Sequence, residues 1–479
     1  MRHVDRNRSR FLRTTAALVV AMVLPQYLVA QDSADTTKPN IILIVTDDQG
    51  YADVGFRGSP IKTPNIDRLA KGGVVLNSFY TCPVCSPTRA GLMTGRYPIR
   101  FGMQRAVNRP NSTVGLPEAM VTLPEALGKA GYKNRHIVGK WHLGNMRKSQ
   151  LPLSHGFTTQ YGPYCSGIDY FKHVRMRVHD FHRNESTVKK EGYYTDLLSD
   201  EAVRIIEKHE GDSPFFIYLP YGAPHNPLQA PDAEIERYKH LGDKNKATYA
   251  SMVAIIDQGV GRILNALDEE GYSDNTLIVL ISDNGGQRNA DNRPLRGGKG
   301  DLYEGGIRVI AVARWPNRIP TGSTCEKRCS YIDMLPTFLD AANFLSTEMA
   351  EGLDGQSVLP LWKAKPGEVK EEPFYSFYES RNRENLSVMD GDWKLIRRGA
   401  PILGAKKSKK SKPPEIELYN IAKDMEEKNN LASKHPERVN ALLEKLVAFR
   451  KLRSEGGVPP MVEPFPKGWK PPENWEPKE

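Results

Sequence analysis

The chain has 479 residues, of which 39% are apolar and 26% charged, and its formal net charge is +10. This length excludes a single small domain and allows a large core with a second module. The positive charge favours anionic partners, but nucleic acid, an anionic membrane and an acidic polymer fit it equally well. Five cysteines exclude a disulfide-rich scaffold. Cys325 and Cys329 could pair in an oxidising compartment, and the sequence leaves that question open.

The first thirty residues have the pattern of a signal peptide. Five arginines between positions 2 and 13 precede an apolar stretch over residues 16–24, which is too short to span a bilayer. Pro25 ends that stretch, and Ala30 is a suitable cleavage residue. We therefore expect removal of residues 1–30 and a secreted or periplasmic protein, with a retained membrane anchor as the alternative. No other segment of the sequence is apolar enough over a sufficient length to span a membrane.

Short β-branched runs alternate with helical patterns in the following part of the chain. Five runs predict buried strands, at residues 41–46, 136–139, 215–219, 277–282 and 309–313. Helices are predicted from the start at Thr63-Pro64 to Gly72-Gly73, and over residues 196–208 and 247–267. Such alternation indicates an α/β sandwich, in which helices flank a large, mostly parallel central sheet.

The pattern changes after about residue 370. Residues 374–378, 386–389, 393–397 and 417–419 predict short strands of an antiparallel, hairpin-rich sheet, and residues 436–452 predict a helix. We therefore predict a main domain over residues 38–370, a small α+β subdomain over residues 371–458 and a Pro-rich tail over residues 459–479. The lysine-serine run at 406–412 is interpreted as a solvated loop, with a polyanion contact as the alternative.

Acidic side chains directly follow two of the predicted strands. Asp47 and Asp48 come after the first strand, and Asp283 and Asn284 come after the fourth. Ligands of such sheets bind beyond the carboxyl ends of the strands, and Ca²⁺ and Mg²⁺ accept several crowded oxygen ligands. No Cys or His is among these four residues, so calcium or magnesium is favoured over zinc. An acidic turn is the alternative interpretation of the first pair taken alone.

Cys85 lies at the predicted start of a helix that continues through Met93. Free backbone N–H groups and the helix dipole favour an anion at such a position. Arg89 lies one turn further on and can reach the same place. The alternative is a structural cysteine. Cys82 and Cys85 form a CxxC pattern, but no second CxxC or suitably spaced His pair accompanies it, which argues against structural zinc.

Cationic side chains follow two further strands. Lys140 and His142 come after the second predicted strand, and His225 comes after the third. Lys299 lies in a glycine-rich stretch. A lone Lys or His is usually a surface or satisfied residue. Two Lys, two His and an Arg that converge with a divalent cation suit the binding of a sulfate or phosphate ester.

These clusters resemble, in family order, the motifs of the type I sulfatases. Cys85-Ser86-Pro87-Thr88-Arg89 resembles the signature C-x-P-x-R, and GLMTGR at 91–96 resembles its continuation. TDDQGYAD at 46–53 is similar to the N-terminal metal motif, and GKWHLG at 139–144 is similar to the second signature. DNGG at 283–286, GKG at 298–300 and YEGG at 303–306 resemble the later motifs. The resemblance runs from about residue 38 to about residue 450.

The resemblance implies a sulfuric ester hydrolase with an alkaline-phosphatase-like fold, whose catalytic domain is the segment 38–370. It further implies that a formylglycine-generating enzyme oxidises Cys85 to formylglycine, the hydrate of which is the nucleophile. One Ca²⁺ ion would be held by this residue together with Asp47, Asp48, Asp283 and Asn284.

The resemblance also implies roles for the cationic side chains. Arg89 and Lys140 would stabilise the hydrate, and Lys140, Lys299 and His225 would bind the sulfate oxygens. His225, with Lys299 as a second candidate, would protonate the leaving alcohol. His142 would then take the proton of the remaining hydroxyl, so that sulfate leaves and the aldehyde returns.

Three segments, at 166–173, 224–229 and 292–296, are similar to substrate-side segments of the arylsulfatase B group, which includes N-acetylgalactosamine-4-sulfatase. This similarity implies a sulfated sugar or polysaccharide as substrate. Two alternatives are a phosphonate monoester or phosphodiester hydrolase on the same scaffold, and an inactive sulfatase-like protein that binds glycans. No nucleic-acid module and no stable membrane insertion are predicted.

Overall fold

The computed structural model describes residues 37–104, 112, 114–380, 383–404 and 413–454. The predicted signal peptide, the lysine-serine run and the Pro-rich tail lie outside the described residues. The described residues from Lys38 onward group into one compact unit, and the predicted boundary near residue 370 stays a prediction. None of the helices in the described part combines the length and hydropathy needed to cross a membrane.

The strands of the described residues fall into one large sheet and three small ones. In chain order they are β1 (Asn40–Thr46), β2 (Val74–Leu76), β3 (Phe79–Tyr80), β4 (Asn134–Val138), β5 (Thr159–Gly162), β6 (Val174–Arg175), β7 (Val178–His179), β8 (His182–Arg183), β9 (Ser186–Thr187), β10 (Phe215–Pro220), β11 (Thr276–Ser282), β12 (Arg308–Val309), β13 (Ala311–Arg314), β14 (Ser323–Cys325), β15 (Cys329–Ser330), β16 (Phe374–Ser380), β17 (Arg383–Asp390), β18 (Trp393–Gly399) and β19 (Glu415–Asn420).

The large sheet has the order β14-β2-β13-β11-β1-β10-β4-β5-β8-β9. Its five central strands, from β11 to β5, are all parallel, and the antiparallel pairings lie toward both margins. The prediction of a mostly parallel central sheet is therefore confirmed. The parallel strands bring five carboxyl ends to one edge of the sheet, which is the edge at which such sheets bind ligands.

Helices cover both faces of the large sheet. They are α1 (Pro64–Lys71), α2 (Cys85–Thr94), α3 (Leu123–Lys129), α4 (Tyr194–Glu207), α5 (Asp232–Tyr238), α6 (Lys244–Glu269), α7 (Glu304–Ile307), α8 (Met334–Ala341), α9 (Thr347–Ala350), α10 (Leu359–Trp362) and α11 (Pro436–Arg450). The four helices predicted in the main domain, α1, α2, α4 and α6, are thus confirmed.

The central strand β1 shows why two helical layers are needed. All seven of its residues are buried. Ile41, Leu43 and Val45 pack into the core that includes α2, α3 and α8, whereas Ile42 and Ile44 pack into the core that includes α1, α4 and α6. An uninterrupted apolar strand has two apolar faces, and each must be covered.

The predicted strand at 309–313 is wrong as a single element. The chain divides at Ile310, where β12 ends and β13 begins. β12 pairs with β3 in a three-stranded sheet, whereas β13 pairs with β11 in the large sheet. The apolar run is continuous because both short strands are buried, so hydrophobicity alone could not locate the transfer between sheets.

The C-terminal segment forms a four-stranded antiparallel sheet, β16-β17-β18-β19, in simple sequential order. Helix α11 packs on this sheet, and Leu446 and Phe449 of the helix join Phe377 and Leu395 of the sheet in one core. That core is continuous with the one around α2 and α8. The predicted small antiparallel sheet with its helix is therefore confirmed.

Candidate active site

The four predicted oxygen ligands meet at the carboxyl edge of the large sheet. β1 and β11 pair in parallel with Thr46 opposite Ser282, so Asp47 and Asp283 leave neighbouring strands side by side. The Asp283 N–H donates to the carbonyl oxygen of Thr46 at 3.0 Å, and the Asp48 N–H donates to Asp283 Oδ1 at 3.3 Å. All three aspartates are fully buried.

Asn284 completes this group of oxygens. Its Nδ2 donates to Asp48 Oδ1 at 2.8 Å, which turns the amide toward the carboxylates. Within the described residues its Oδ1 is buried and accepts no hydrogen bond. A buried carbonyl oxygen without a donor is costly, and a hard cation would satisfy it. The oxygen donors present therefore fit calcium or magnesium.

Cys85 is the first residue of α2, and all ten residues of this helix are buried. Its thiol donates to Asp47 Oδ1 at 3.3 Å and lies 4.0 Å from Asp48 Oδ1. One ligand atom from each of Cys85, Asp47, Asp48 and His225 lies within 4.8 Å of the others, a group that could hold a metal ion. The predicted nucleophile position and the predicted metal position thus coincide.

Cationic side chains surround the carboxylates. Lys140 Nζ lies 2.6 Å from Asp47 Oδ2, and Lys299 Nζ lies 2.7 Å from Asp48. His225 Nε2 is 3.7 Å from Asp48 Oδ2. Lys140, Lys299 and His225 therefore all reach the pair of carboxylates Asp47 and Asp48.

Arg89 approaches the site from the second turn of α2. Its Nε and Nη2 donate hydrogen bonds to Asp283 Oδ2 at 2.9 and 2.7 Å. Its Nη1 donates to the carbonyl oxygen of Lys140 at 3.2 Å. Neither Arg89 nor Asp283 has any exposed side-chain surface. Burial alone would lower the pKa of Arg89, but Asp283 outweighs it and raises that pKa, so the guanidinium stays charged.

The site keeps Asp47 and Asp48 ionised and the Cys85 thiol protonated. Burial alone would raise the pKa of Asp47, but Lys140 and His225 outweigh it and hold that pKa below the ordinary value. Asp48 behaves in the same way, with Lys299 and His225 opposing burial. Burial raises the pKa of Cys85, and Asp283 and Asp47 raise it further. An unmodified Cys85 is consequently a poor nucleophile at neutral pH.

His142 is held as a neutral imidazole. Its ring nitrogens are both buried, and in the described part of the chain neither has a hydrogen-bond partner. Burial lowers the pKa of His142, and the nearby Lys140 and Arg89 lower it further. The backbone carbonyl oxygen of His142 accepts a hydrogen bond from Ser86 Oγ at 2.8 Å. This bond holds the backbone of His142 next to Ser86, the residue that follows Cys85. A neutral imidazole of this kind can accept a proton.

His225 and Lys299 lie on loops that are tied to the rest of the site. His225 Nδ1 is 2.6 Å from the carbonyl oxygen of Asn226, a contact that makes Nδ1 the donor and leaves Nε2 facing Asp48. The Lys299 N–H donates to the carbonyl oxygen of Gly286 at 3.1 Å. The next residue, Gly300, donates to the carbonyl oxygen of Pro83, just before Cys85, at 2.8 Å.

Asp53 ends the TDDQGYAD motif but is not among the predicted site residues, and Tyr249 belongs to no motif, yet both organise the loops of the site. Asp53 Oδ2 accepts from Tyr249 Oη at 2.6 Å, from Gly50 N at 3.0 Å and from Asp291 N at 3.1 Å. Asp53 thereby joins the loop after β1 to the loop after β11. Tyr249 lies within α6, nearly 200 residues away in sequence, so no local pattern could reveal this contact.

All five cysteines are free thiols in the structure, so Cys325 and Cys329 are not joined. Cys82 is fully buried, and its sulfur lies 3.2 Å from the hydroxyl of Tyr331. Cys82 therefore has a packing role beside the site.

Comparisons with known proteins identify the family. The family model "Sulfatase" matches residues 39–344, and the model "N-sulphoglucosamine sulphohydrolase, C-terminal" matches residues 298–452. Arylsulfatase J of Mus musculus is 33% identical over 89% of this chain and 78% of its own length. N-acetylgalactosamine-6-sulfatase of Mus musculus is 35% identical over 74% of this chain and 71% of its own length.

A solved structure shows the same fold. Ps i-CgsB in complex with k-i-k-neocarrahexaose superposes with a TM-score of 0.80 at 34% identity, covering 88% of this chain and 95% of that one. These findings confirm the predicted family, its alkaline-phosphatase-like fold and its enzymatic class. The chain belongs to the type I sulfatase family and is a sulfuric ester hydrolase.

Proposed function

We propose that this enzyme releases inorganic sulfate from a sulfated carbohydrate and that a formylglycine made from Cys85 is its nucleophile. The observation that carries the proposal is the position of Cys85, buried at a helix start between ionised carboxylates and surrounded by Arg89, Lys140 and Lys299. An anionic ester would enter a point where positive side chains are already in place. The similar proteins include N-acetylgalactosamine-6-sulfatases and a complex with a neocarrahexaose, which supports a carbohydrate substrate.

The environment of Cys85 makes the unmodified thiol unsuited to be the nucleophile, which favours a modified residue 85. A raised pKa makes the thiol a weak nucleophile in this site, as described above. A formylglycine-generating enzyme would convert it to an aldehyde, and hydration would give two hydroxyls on one carbon. One hydroxyl can attack sulfur while the other later provides an exit by elimination, so that one difficult displacement becomes two easier steps. The predicted signal peptide fits a secreted or periplasmic enzyme that meets its substrate outside the cytoplasm.

Asp47, Asp48, Asp283 and Asn284, together with residue 85, would hold a Ca²⁺ ion. When bound, the ion would supply positive charge next to the attacking oxygen and the sulfate group. The oxygen donors of Asp47, Asp48, Asp283 and Asn284, and the unsatisfied Asn284 Oδ1, support this assignment.

The remaining side chains would bind substrate and move protons. Lys140, Lys299 and His225 would bind the sulfate oxygens, and Arg89 with Lys140 would stabilise the negative charge on residue 85. The leaving alcohol would take a proton from His225, with Lys299 as the second candidate. His142 would then accept the proton of the remaining hydroxyl, so that the carbon–oxygen bond to sulfate breaks and the aldehyde is restored. The neutral state of His142 supports its role as this base.

A comparison of matched substrates tests the proposal. Sulfate release from 4-nitrophenyl sulfate and from sulfated oligosaccharides would be measured beside hydrolysis of bis(4-nitrophenyl) phosphate. We expect kcat/KM for the sulfate esters to exceed that for the phosphodiester, and Cys85→Ala to lose at least 10³-fold in kcat because the nucleophile is removed. Preference for the phosphodiester would favour the hydrolase alternative. Binding of sulfated oligosaccharides without turnover of any ester would favour the glycan-binding alternative.

A further inference from the structure

An open cleft of about 660 Å³ adjoins the loop that carries Lys299. Gly297 and Asn292 line this cleft, and Gly297 is only two positions before Lys299. Asn292 Nδ2 donates to the carbonyl oxygen of Gly286 at 2.9 Å, and the Lys299 N–H donates to the same oxygen. The cleft wall and the Lys299 loop are therefore fixed to one another.

The cleft is also close to the loop that carries His225. Arg288, which lines the cleft, directly follows Gln287. Gln287 Oε1 accepts from Asn226 Nδ2 at 2.9 Å, and Asn226 directly follows His225. His225 and Lys299, the two side chains proposed to protonate the leaving alcohol, are thus both connected to residues that line the cleft, by chain neighbours and by the Asn226–Gln287 hydrogen bond. The part of a substrate beyond the leaving oxygen would extend in this direction.

Among the charged side chains that line the cleft, Lys246 and Arg288 are available to pair with an anionic ligand. Arg293 is paired with Asp291, with Nη2 to Oδ2 at 2.6 Å. Lys246 and Arg288 are exposed, and within the described residues neither forms an ion pair. Asp53, at the floor, is buried and already accepts three hydrogen bonds. The cleft therefore carries a positive charge that no carboxylate of the described residues neutralises.

We propose that the Lys246/Arg288 cleft binds an anionic sugar unit next to the unit whose sulfate ester reacts. Lys246 and Arg288 would pair with a sulfate or carboxylate group of that unit, since a guanidinium binds either anion in a bidentate manner. Asn289, which also lines the cleft, supplies an amide group suited to a sugar hydroxyl. The inference rests on the proposed function and narrows its substrate to a glycan of at least two units with a second negative charge.

Equilibrium binding to the Cys85→Ala protein would test this inference without turnover. The ligands would be three sulfated hexasaccharides in which the neighbouring unit carries a second sulfate, a uronate carboxylate or no charge. We expect the double variant Lys246→Ala/Arg288→Ala to raise Kd about tenfold for a ligand with the second anion and less than twofold for the neutral ligand, because two screened ion pairs are lost. A rise for only the sulfated or only the uronate ligand would identify which anion the cleft binds.

Lys208→Ala is the matched control. Lys208 is an exposed lysine that follows α4 and precedes β10, at the opposite edge of the sheet from the site, and its removal should change none of the three Kd values. An equal rise for all three ligands, or no rise in the double variant, would overturn the inference. Absence of sulfate release by the parent enzyme would contradict the proposed function, yet the charge-dependent difference in Kd would still establish the cleft as a binding site.

Discussion

At the scale of single residues, two members of the site are held on left-handed backbone. Asp48 has φ 67° and His142 has φ 60°. Such a conformation costs a non-glycine residue about 1–3 kcal/mol and persists only where the surroundings enforce it. Asp48 lies two residues after the end of β1, with its Oδ1 4.0 Å from the Cys85 sulfur, and His142 lies four residues after the end of β4. Their residue types were predictable from the motifs, but this backbone geometry was not.

Asp53 gives a prediction at the residue scale about pH. Burial raises the pKa of its carboxyl to about 7, although Tyr249 and the Asp291 N–H act in the opposite direction. Between the ordinary value of 3.8 and about 7 the folded state holds a proton that the unfolded state has released, so stability falls as pH rises. From pH 5 to pH 8 this change amounts to about 3 kcal/mol.

Asp53→Asn cannot ionise and should remove that dependence. Its free energy of unfolding, relative to wild type, should therefore improve by about 3 kcal/mol between pH 5 and pH 8, as measured by urea denaturation. Asp212→Asn, at an exposed position, is the control and should show a difference from wild type that does not vary with pH. A constant difference for Asp53→Asn would show that Asp53 is ionised throughout this range.

At the scale of elements, a buried ion cluster joins the C-terminal sheet to the segment that follows Lys299. Lys394 of β18 lies 2.8 Å from Glu304 Oε1 and 2.9 Å from Glu427 Oε1, and none of the three side chains in these pairs is exposed. Glu304 Oε2 also accepts from Tyr80 Oη at 2.7 Å. Glu304 begins α7, five positions after Lys299, so the small sheet helps to fix one side of the site.

Lys394→Met should destabilise the protein strongly. It would leave the buried Glu427 without its cation and the buried Glu304 with only Arg308, at 3.5 Å, and breaking such a buried pair costs about 3–5 kcal/mol. Lys445→Met is a matched control, because Lys445 pairs with Asp390 near the surface, where an ion pair contributes less than about 1 kcal/mol. Urea denaturation of both variants gives the comparison. Similar decreases in the free energy of unfolding in the two variants would contradict the expectation that the buried ion pairs matter more than the exposed one.

The elements also show where sequence patterns are informative. The buried runs of β1, β10 and β11 are long, and each predicted strand agrees with the structure to within a residue or so. The prediction of one strand over residues 309–313 was wrong because two short strands of different sheets follow one another there without a polar residue between them. Which strand each segment pairs with determines where β12 ends and β13 begins, and the residue types of the segment do not show this.

At the scale of the whole molecule, parallel strands explain why distant motifs form one site. Asp47 and Asp283 are more than 200 positions apart, yet they leave adjacent strands in register. That meeting was predictable, because the carboxyl ends of parallel strands share an edge. The support from Tyr249 and from Lys394 was not, because it depends on how α6 and the C-terminal sheet dock on the main sheet. The signal peptide and the Pro-rich tail stay predictions.

The central claim is that catalysis requires an oxidised residue 85. The most direct test is to prepare the protein with varying amounts of a coexpressed formylglycine-generating enzyme and to measure, in each preparation, the mass of the peptide containing residue 85 and the rate of sulfate release from 4-nitrophenyl sulfate. We predict that the rate rises in proportion to the fraction present as formylglycine and is absent in Cys85→Ala. A rate independent of that fraction, or no sulfate release from fully converted protein, would contradict the account.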